Sequence, residues 1–187
     1  MEEEVKFYID EAKEKMDKAI SHLQDELMRI RAGKATTTLL DGITVDYYGV
    51  LTPLNQVSNI STPDAKTIII QPWDKNMIEP IEKAIMHANI GLNPANNGEI
   101  IRISVPPLTE ERRRSLVKQI KFMGENCKVS IRNARREANE EFKKLQKDGL
   151  SEDQEKDAEN EVQEMTNDFT KKIDDMVASR EKDLMTV

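Results

Sequence analysis

The chain is expected to be mainly α, with a small α+β domain inserted into an elongated three-helix bundle. Three observations predict this. Charged residues make up 34% of the 187 residues and aromatics only 4%, a composition that suits long solvated helices better than a large β-sandwich. Stretches at both ends repeat apolar residues at spacings of three and four, the mark of amphipathic helices. Between them, from about residue 35 to 105, lie four of the seven glycines and five of the seven prolines, a change of texture that signals a turn-rich second domain.

Taken in order, Val5, Ile9, Ala12, Met16, Ile20, Leu23, Leu27 and Ile30 form one apolar line free of glycine and proline, predicting a single first helix. Gly33 can take the left-handed conformation that ends it, and Arg29 and Arg31 suit the negative end of its dipole. In the middle, residues 43–48, 54–57, 67–71 and 100–105 read as short strands bounded by turn residues. One helix fits among them, giving a βαβ-type order: Asp74 could cap it, Ile78, Ile81, Ala84, Ile85 and Ala88 form its apolar face, and Gly91 ends it. Pro80 argues for a start later than Asp74, since proline is tolerated only in a first turn. Tyr47, Tyr48 and Trp73 could stack on bases, but in strands and turns of a small domain such side chains are more often partial core, so they do not discriminate.

After Pro106 and Pro107, Thr109 is a plausible N-cap with Glu110 and Glu111 in the first turn. A second long helix follows, with Leu116, Ile120, Met123, Cys127, Ile131, Ala134, Ala138, Phe142 and Leu145 inward, ending at Asp148 and Gly149. Ser151 and Gln154 have capping-box spacing for a third, with Ala158, Val162, Met165, Phe169, Ile173, Met176 and Leu184 inward. The division expected is residues 1–31 and 105–187 for the bundle and 32–104 for the insertion. Hinges fall near 32–35 and 105–107: Ala32, Gly33, Lys34, Val105, Pro106 and Pro107, glycine supplying freedom where the prolines restrict it.

Charge is distributed unevenly. The formal net charge is −7, yet residues 105–150 carry twelve basic against seven acidic side chains, while 151–187 carry five against twelve. At about 100° per residue, Arg114, Lys118, Lys121, Lys128, Arg132, Arg135, Arg136 and Lys143 fall within an arc of about 100°, running roughly 40 Å along the second helix. Such a stripe can track phosphates. It can equally be a solvated face, or one paired with the acidic third helix. Arg132, Arg135 and Arg136, grouped in one patch, favour RNA, because guanidinium forks match phosphate oxygens and stack on bases.

Catalytic signatures are missing: the sequence has no phosphate-cradling glycine loop, no metal-ligand cluster and no nucleophile motif. No cofactor or metal is expected, and no enzyme activity. His22 and His87 read as surface histidines and Cys127 as core. A single cysteine fits a reducing compartment. The N-terminus MEEEVKFYID lacks the basic and apolar regions of an export signal. A cytoplasmic, monomeric protein without membrane contact is expected.

"RIRAGKA" at 29–35, "TPLNQVSNIS" at 52–61, "GLNPANNGEIIRISVPPLTEERRRSLVK" at 91–118, "RNARREAN" at 132–139 and the ending "REKDLMTV" together resemble the ribosome recycling factor family, from end to end and in order. The resemblance implies an L-shaped molecule, a three-helix bundle carrying a βαβ-type second domain. It implies binding to the large ribosomal subunit after termination. With elongation factor G, a GTPase, and GTP it implies splitting of the ribosome and release of mRNA for a new round of translation. By position in the matched motifs, Arg132 would be the main ribosomal-RNA contact, supported by Lys128, Arg135 and Arg136, with Lys121 more peripheral. Arg29, Arg31 and Lys34 are weaker candidates, since helix-dipole compensation explains them nearly as well. The protein would be a lever, with hydrolysis occurring on its partner. A reading from another class is a coiled-coil or chaperone-like module whose basic stripe meets an acidic protein.

Overall fold

The computed structural model describes residues 1–30 and 33–186. In chain order the elements are α1 (Glu2–Arg29), a 3-10 turn (Thr37–Leu40), β1 (Thr44–Tyr47), β2 (Val50–Pro53), a 3-10 turn (Leu54–Gln56), β3 (Ser58–Asp64) and β4 (Thr67–Pro72). A 3-10 turn (Lys75–Met77), α2 (Ile78–Ala88), β5 (Pro94–Asn96), β6 (Ile101–Ser104), α3 (Glu110–Lys147) and α4 (Glu152–Met185) follow. Contacts divide the chain into two units, Met1–Ile30 with Glu110–Val187, and Arg31–Thr109.

In the helical unit α3 packs against both α1 and α4, and α1 against α4. The apolar lines meet there: Met16, Leu23, Ile120, Ile131, Phe142, Val162, Ile173 and Leu184 are fully buried. With 38 residues, α3 alone runs about 57 Å. Met123 is only half-buried, and Gly124 takes the inward place beside it. A Cβ on Gly124 would lie 2.7 Å from Val177 Cγ2, so α3 and α4 approach closely at this turn. The capping box of α4 forms as its spacing predicts: Gln154 N–H donates to Ser151 Oγ at 3.1 Å, and Ser151 N–H to Gln154 Oε1 at 3.4 Å. α1 ends earlier than Gly33. Ile30 is already extended, and its carbonyl accepts a hydrogen bond from Arg180 of α4, so a side chain from a neighbouring helix satisfies it. Gly33 is left-handed, with φ of 75°, beyond that point.

The small unit holds a β1–β2 hairpin and a four-stranded sheet in the order β3-β4-β6-β5, with every pairing antiparallel. The β–α–β succession expected from sequence is present along the chain, with β4 and β6 as antiparallel neighbours. Alternation sets their register. Ile68 and Ile70 face Ile103 and Ile101 across the ladder, all four fully buried, while Arg102 and Ser104 point outward. Each such burial stabilises by about 1.5–3 kcal/mol, so a one-residue slip, which would expose the set, is strongly disfavoured. α2 covers this core with Ile78, Ile81 and Ile85.

Several expectations are corrected here. Residues 54–57 are not a strand: Leu54 and Val57 are both buried at i, i+3 spacing, which a 3-10 turn places on one side. The Leu54 carbonyl accepts from Val57 N–H at 3.3 Å and from the buried Ser58 hydroxyl at 2.7 Å. The strands lie on either side of that turn, as β2 and β3. Asp74 caps the 3-10 turn rather than α2, accepting from Asn76 N–H at 2.9 Å, and Pro80 becomes the third residue of α2, where its missing N–H has no helical partner to lose. Asn89, left-handed at φ 49°, closes α2 ahead of Gly91. Finally, Tyr47, Tyr48 and Trp73 are exposed rather than partial core. Among the described residues no helix is long and apolar enough to cross a membrane.

Candidate nucleic-acid interface

α3 presents its basic residues as predicted by the helical repeat, but the structure sorts them into two kinds. Arg132 and Arg136 are exposed and make no ion pair or hydrogen bond with any described residue, as do Lys118 and Lys143. Lys128 is different. Its side chain is only 17% exposed, and Nζ lies 2.6 Å from Asp174 Oδ1 of α4 and 3.4 Å from Glu125 Oε1. The hydrogen bond to Asp174 holds its ammonium above the ordinary lysine value. Lys121 lies 3.7 Å from Glu181 of α4. Half-buried Arg135 donates through Nη1 to Gln163 Oε1 at 2.9 Å. Arg114 pairs with Glu110 one turn earlier, at 2.6 Å. Pairing with the acidic helix thus holds along one edge of the stripe, while the other edge faces solvent.

The inward side of the same helix is buried. Cys127 Sγ–H donates to the Ala19 carbonyl at 3.4 Å. Burial, helped by the charge of Glu26, pushes its thiol up to about 11. His22 is exposed beside Glu26, and His87 is exposed on α2.

Arg29 is exposed in the last turn of α1. Arg31 and Ala32 lie outside the described residues. Gly33 packs against Leu108: a Cβ there would meet Leu108 Cγ at 3.0 Å and the Leu108 backbone nitrogen at 3.2 Å, and the positive φ already disfavours one. Lys34 is exposed, as are Pro106 and Pro107. Val105 is buried, and its N–H donates to the Lys66 carbonyl at 2.7 Å. Ala35 N–H donates to the neighbouring Ala65 carbonyl at 2.8 Å.

Sequence reading missed two residues of this face. Phe122 is 66% exposed and Val129 46%. Both fall off the inward line of α3, and placing them on the same helical wheel as the arginines would have found them. Among the described residues, no group of three or more His, Cys, Asp or Glu side chains is placed to hold a metal ion.

Comparison with known proteins agrees over nearly the whole chain. Residues 23–185 match the family model described as ribosome recycling factor. The chain is 56% identical over 187 residues to the ribosome-recycling factor of Flavobacterium johnsoniae, covering 100% of both, and 54% identical over 184 residues to that of Bacteroides thetaiotaomicron, covering 98% and 99%. A solution structure of the ribosome recycling factor superposes with a TM-score of 0.79 at 39% identity, covering 98% of each chain. A second similar structure, TM-score 0.62 at 41% identity over 97% of this chain and 99% of that one, belongs to models of the T. thermophilus ribosome recycling factor and the E. coli elongation factor G bound to the E. coli post-termination complex. A bundle with an outward basic ridge, a small antiparallel unit between its first two helices, and full-length identity above half all point one way: the chain belongs to the ribosome recycling factor family.

Proposed function

We propose that this protein binds the large ribosomal subunit of post-termination complexes through α3 and, with elongation factor G and GTP, splits the ribosome and releases mRNA. The observation that carries this is that Arg132 and Arg136 are exposed and unpaired among the described residues. A guanidinium already engaged within the chain must lose a partner to gain one, whereas these two lose only water. Arg132 is the main ribosomal-RNA contact, with Arg136 beside it. Lys128 and Lys121 contribute as positive charge that Asp174 and Glu181 of α4 partly offset, and Arg135 as a guanidinium already hydrogen-bonded to the neutral Gln163. Arg29, Arg31 and Lys34 add charge at the other end of the connection. Binding proceeds by counterion release and therefore weakens with salt.

The protein acts as a lever and not as a catalyst; hydrolysis belongs to the GTPase. Movement of the small unit is assigned to Ala32, Gly33 and Lys34 on one connection and Pro106 and Pro107 on the other. Ala35 and Val105 are the inner limits of that hinge, because backbone hydrogen bonds hold both to the small unit. The family resemblance and the bound complex of the relative support the assignment of partners. Sedimentation of post-termination ribosomes tests it. Subunits should appear only when the protein, elongation factor G and GTP are all present. Intact ribosomes in that mixture, or splitting by the protein alone, would overturn the reading.

A further inference from the structure

Phe122 is a large aromatic side chain left two-thirds in water on a helix that buries Leu116, Ile120, Ile131 and Phe142. Single exposed apolar residues are ordinary; the surroundings of this one are not. Val129, also exposed, follows seven residues later and falls within about 20° of it on the helix surface, while Lys118 and Arg136 lie within about 40°. Arg132 is the next turn beyond Val129. Phe122 has no ring partner among the described residues. Phe7, the other exposed phenylalanine, makes a useful contrast. It packs edge-on against Tyr8 at 5.3 Å, next to Glu2, Glu3 and Glu4 in the first turn of α1.

An apolar ring bordered by unpaired cations suits a ligand that carries negative charge and flat apolar faces together. RNA has both, in phosphates and bases, and single unstacked bases dock on aromatic side chains beside basic grooves. We infer that Phe122 is a base-stacking residue, taking an unpaired base of the RNA whose phosphates Arg132 and Arg136 hold. This rests on the proposed binding of ribosomal RNA by α3 and adds a contact that does not depend on charge.

The independence from charge makes it testable. Binding of the full-length protein to purified large subunits is measured across a salt series, with helicity checked by circular dichroism. Phe122→Ala and Phe122→Leu should each weaken binding on the order of tenfold, as losing one stacked base does. The slope of affinity against salt should stay unchanged, because no phosphate contact is removed. Phe122→Trp should bind at least as well as the native chain. Trp73 is the only tryptophan, so in a Trp73→Phe background the new indole is this chain's single one, and its fluorescence, corrected for subunit emission and absorption with the Trp73→Phe chain as blank, should be quenched when subunits are added. Phe7→Ala should change nothing. Native affinity in Phe122→Ala, or full rescue by Phe122→Leu, overturns the stack, the latter by showing that any apolar group serves. An unquenched indole in a bound complex does the same. Arg132→Ala, run alongside, separates the two ideas: lost affinity there with native affinity in Phe122→Ala removes the stack and leaves the RNA face standing, whereas native affinity in both removes the face as well.

Discussion

Lys128 and Arg132 are one turn apart on α3, carry the same charge and lie on the same basic stripe, yet they belong to different parts of the molecule. Lys128 is folded into the seam with α4, mostly covered and bound to Asp174. Arg132 stands exposed on the outer ridge with no ion pair or hydrogen bond to any described residue. A positive stripe is thus two devices side by side, one joining helices and one available to a ligand. The lesson is that charge pattern locates a face, but pairing decides which of its residues can work on something else.

The sharpest way to break this comparison is to remove the two side chains separately. Arg132→Ala should weaken large-subunit binding by about 1.5–3 kcal/mol, the range for a hydrogen bond to a charged group, with an unchanged urea midpoint. If Lys128→Ala costs as much in binding as Arg132→Ala, the division of the stripe is wrong.

A second test probes how dry the inner face of α3 is. The unfolded Cys127 thiol ionises near its ordinary value of 9.0, the folded one near about 11. The folded state therefore holds its proton more tightly, and stability is undiminished below pH 9 and falls as pH rises from there towards 11. The loss should reach about 1–3 kcal/mol. Urea titrations of the native chain and Cys127→Ala across this window should converge, since the alanine variant lacks that loss. Parallel curves would mean that water reaches the thiol in the folded state.

The smallest effect is expected in the seam itself. Lys128→Ala should lower stability by about 0.2–1 kcal/mol, the usual range for an ion pair near the surface. Because the raised lysine value makes its contribution complete below the ordinary lysine range and lost as pH climbs through the raised one, the difference from native should vanish in strong alkali. A difference that persists there would assign the effect to the packing of the lysine stem.

The long helices were legible because their evidence is local: a spacing of three and four, a capping box at Ser151 and Gln154, a glycine after Asp148. The strands were less so. β3, with the sequence SNISTPD, shows little alternation, and its pairing depends on β4, which sequence periodicity cannot report. Residues 54–57 misled because two apolar side chains three apart fit a 3-10 turn as well as a short strand. At the site, the arginine patch was visible but its division was not. That Lys128 meets Asp174 depends on which turn of α4 lies opposite, a long-range fact. The exposure of Trp73 and Tyr48 was hidden for the same reason. Tyr48 is held outward by its hydroxyl, which donates to Asp74 Oδ2 at 2.6 Å, a partner distant in sequence.

Ala35 and Val105 donate to the carbonyls of adjacent residues, Ala65 and Lys66, in the turn between β3 and β4. These two residues near the ends of the small unit are therefore held side by side once it folds. For the helices this changes the statistics of closure. Joining α1 to α3 through an unfolded segment of about seventy residues costs roughly 2 kcal/mol more entropy than through a link of a few residues, at about 0.6 kcal/mol per doubling. The folded small unit acts as such a short link, so its own folding lowers the entropy cost of joining α1 to α3.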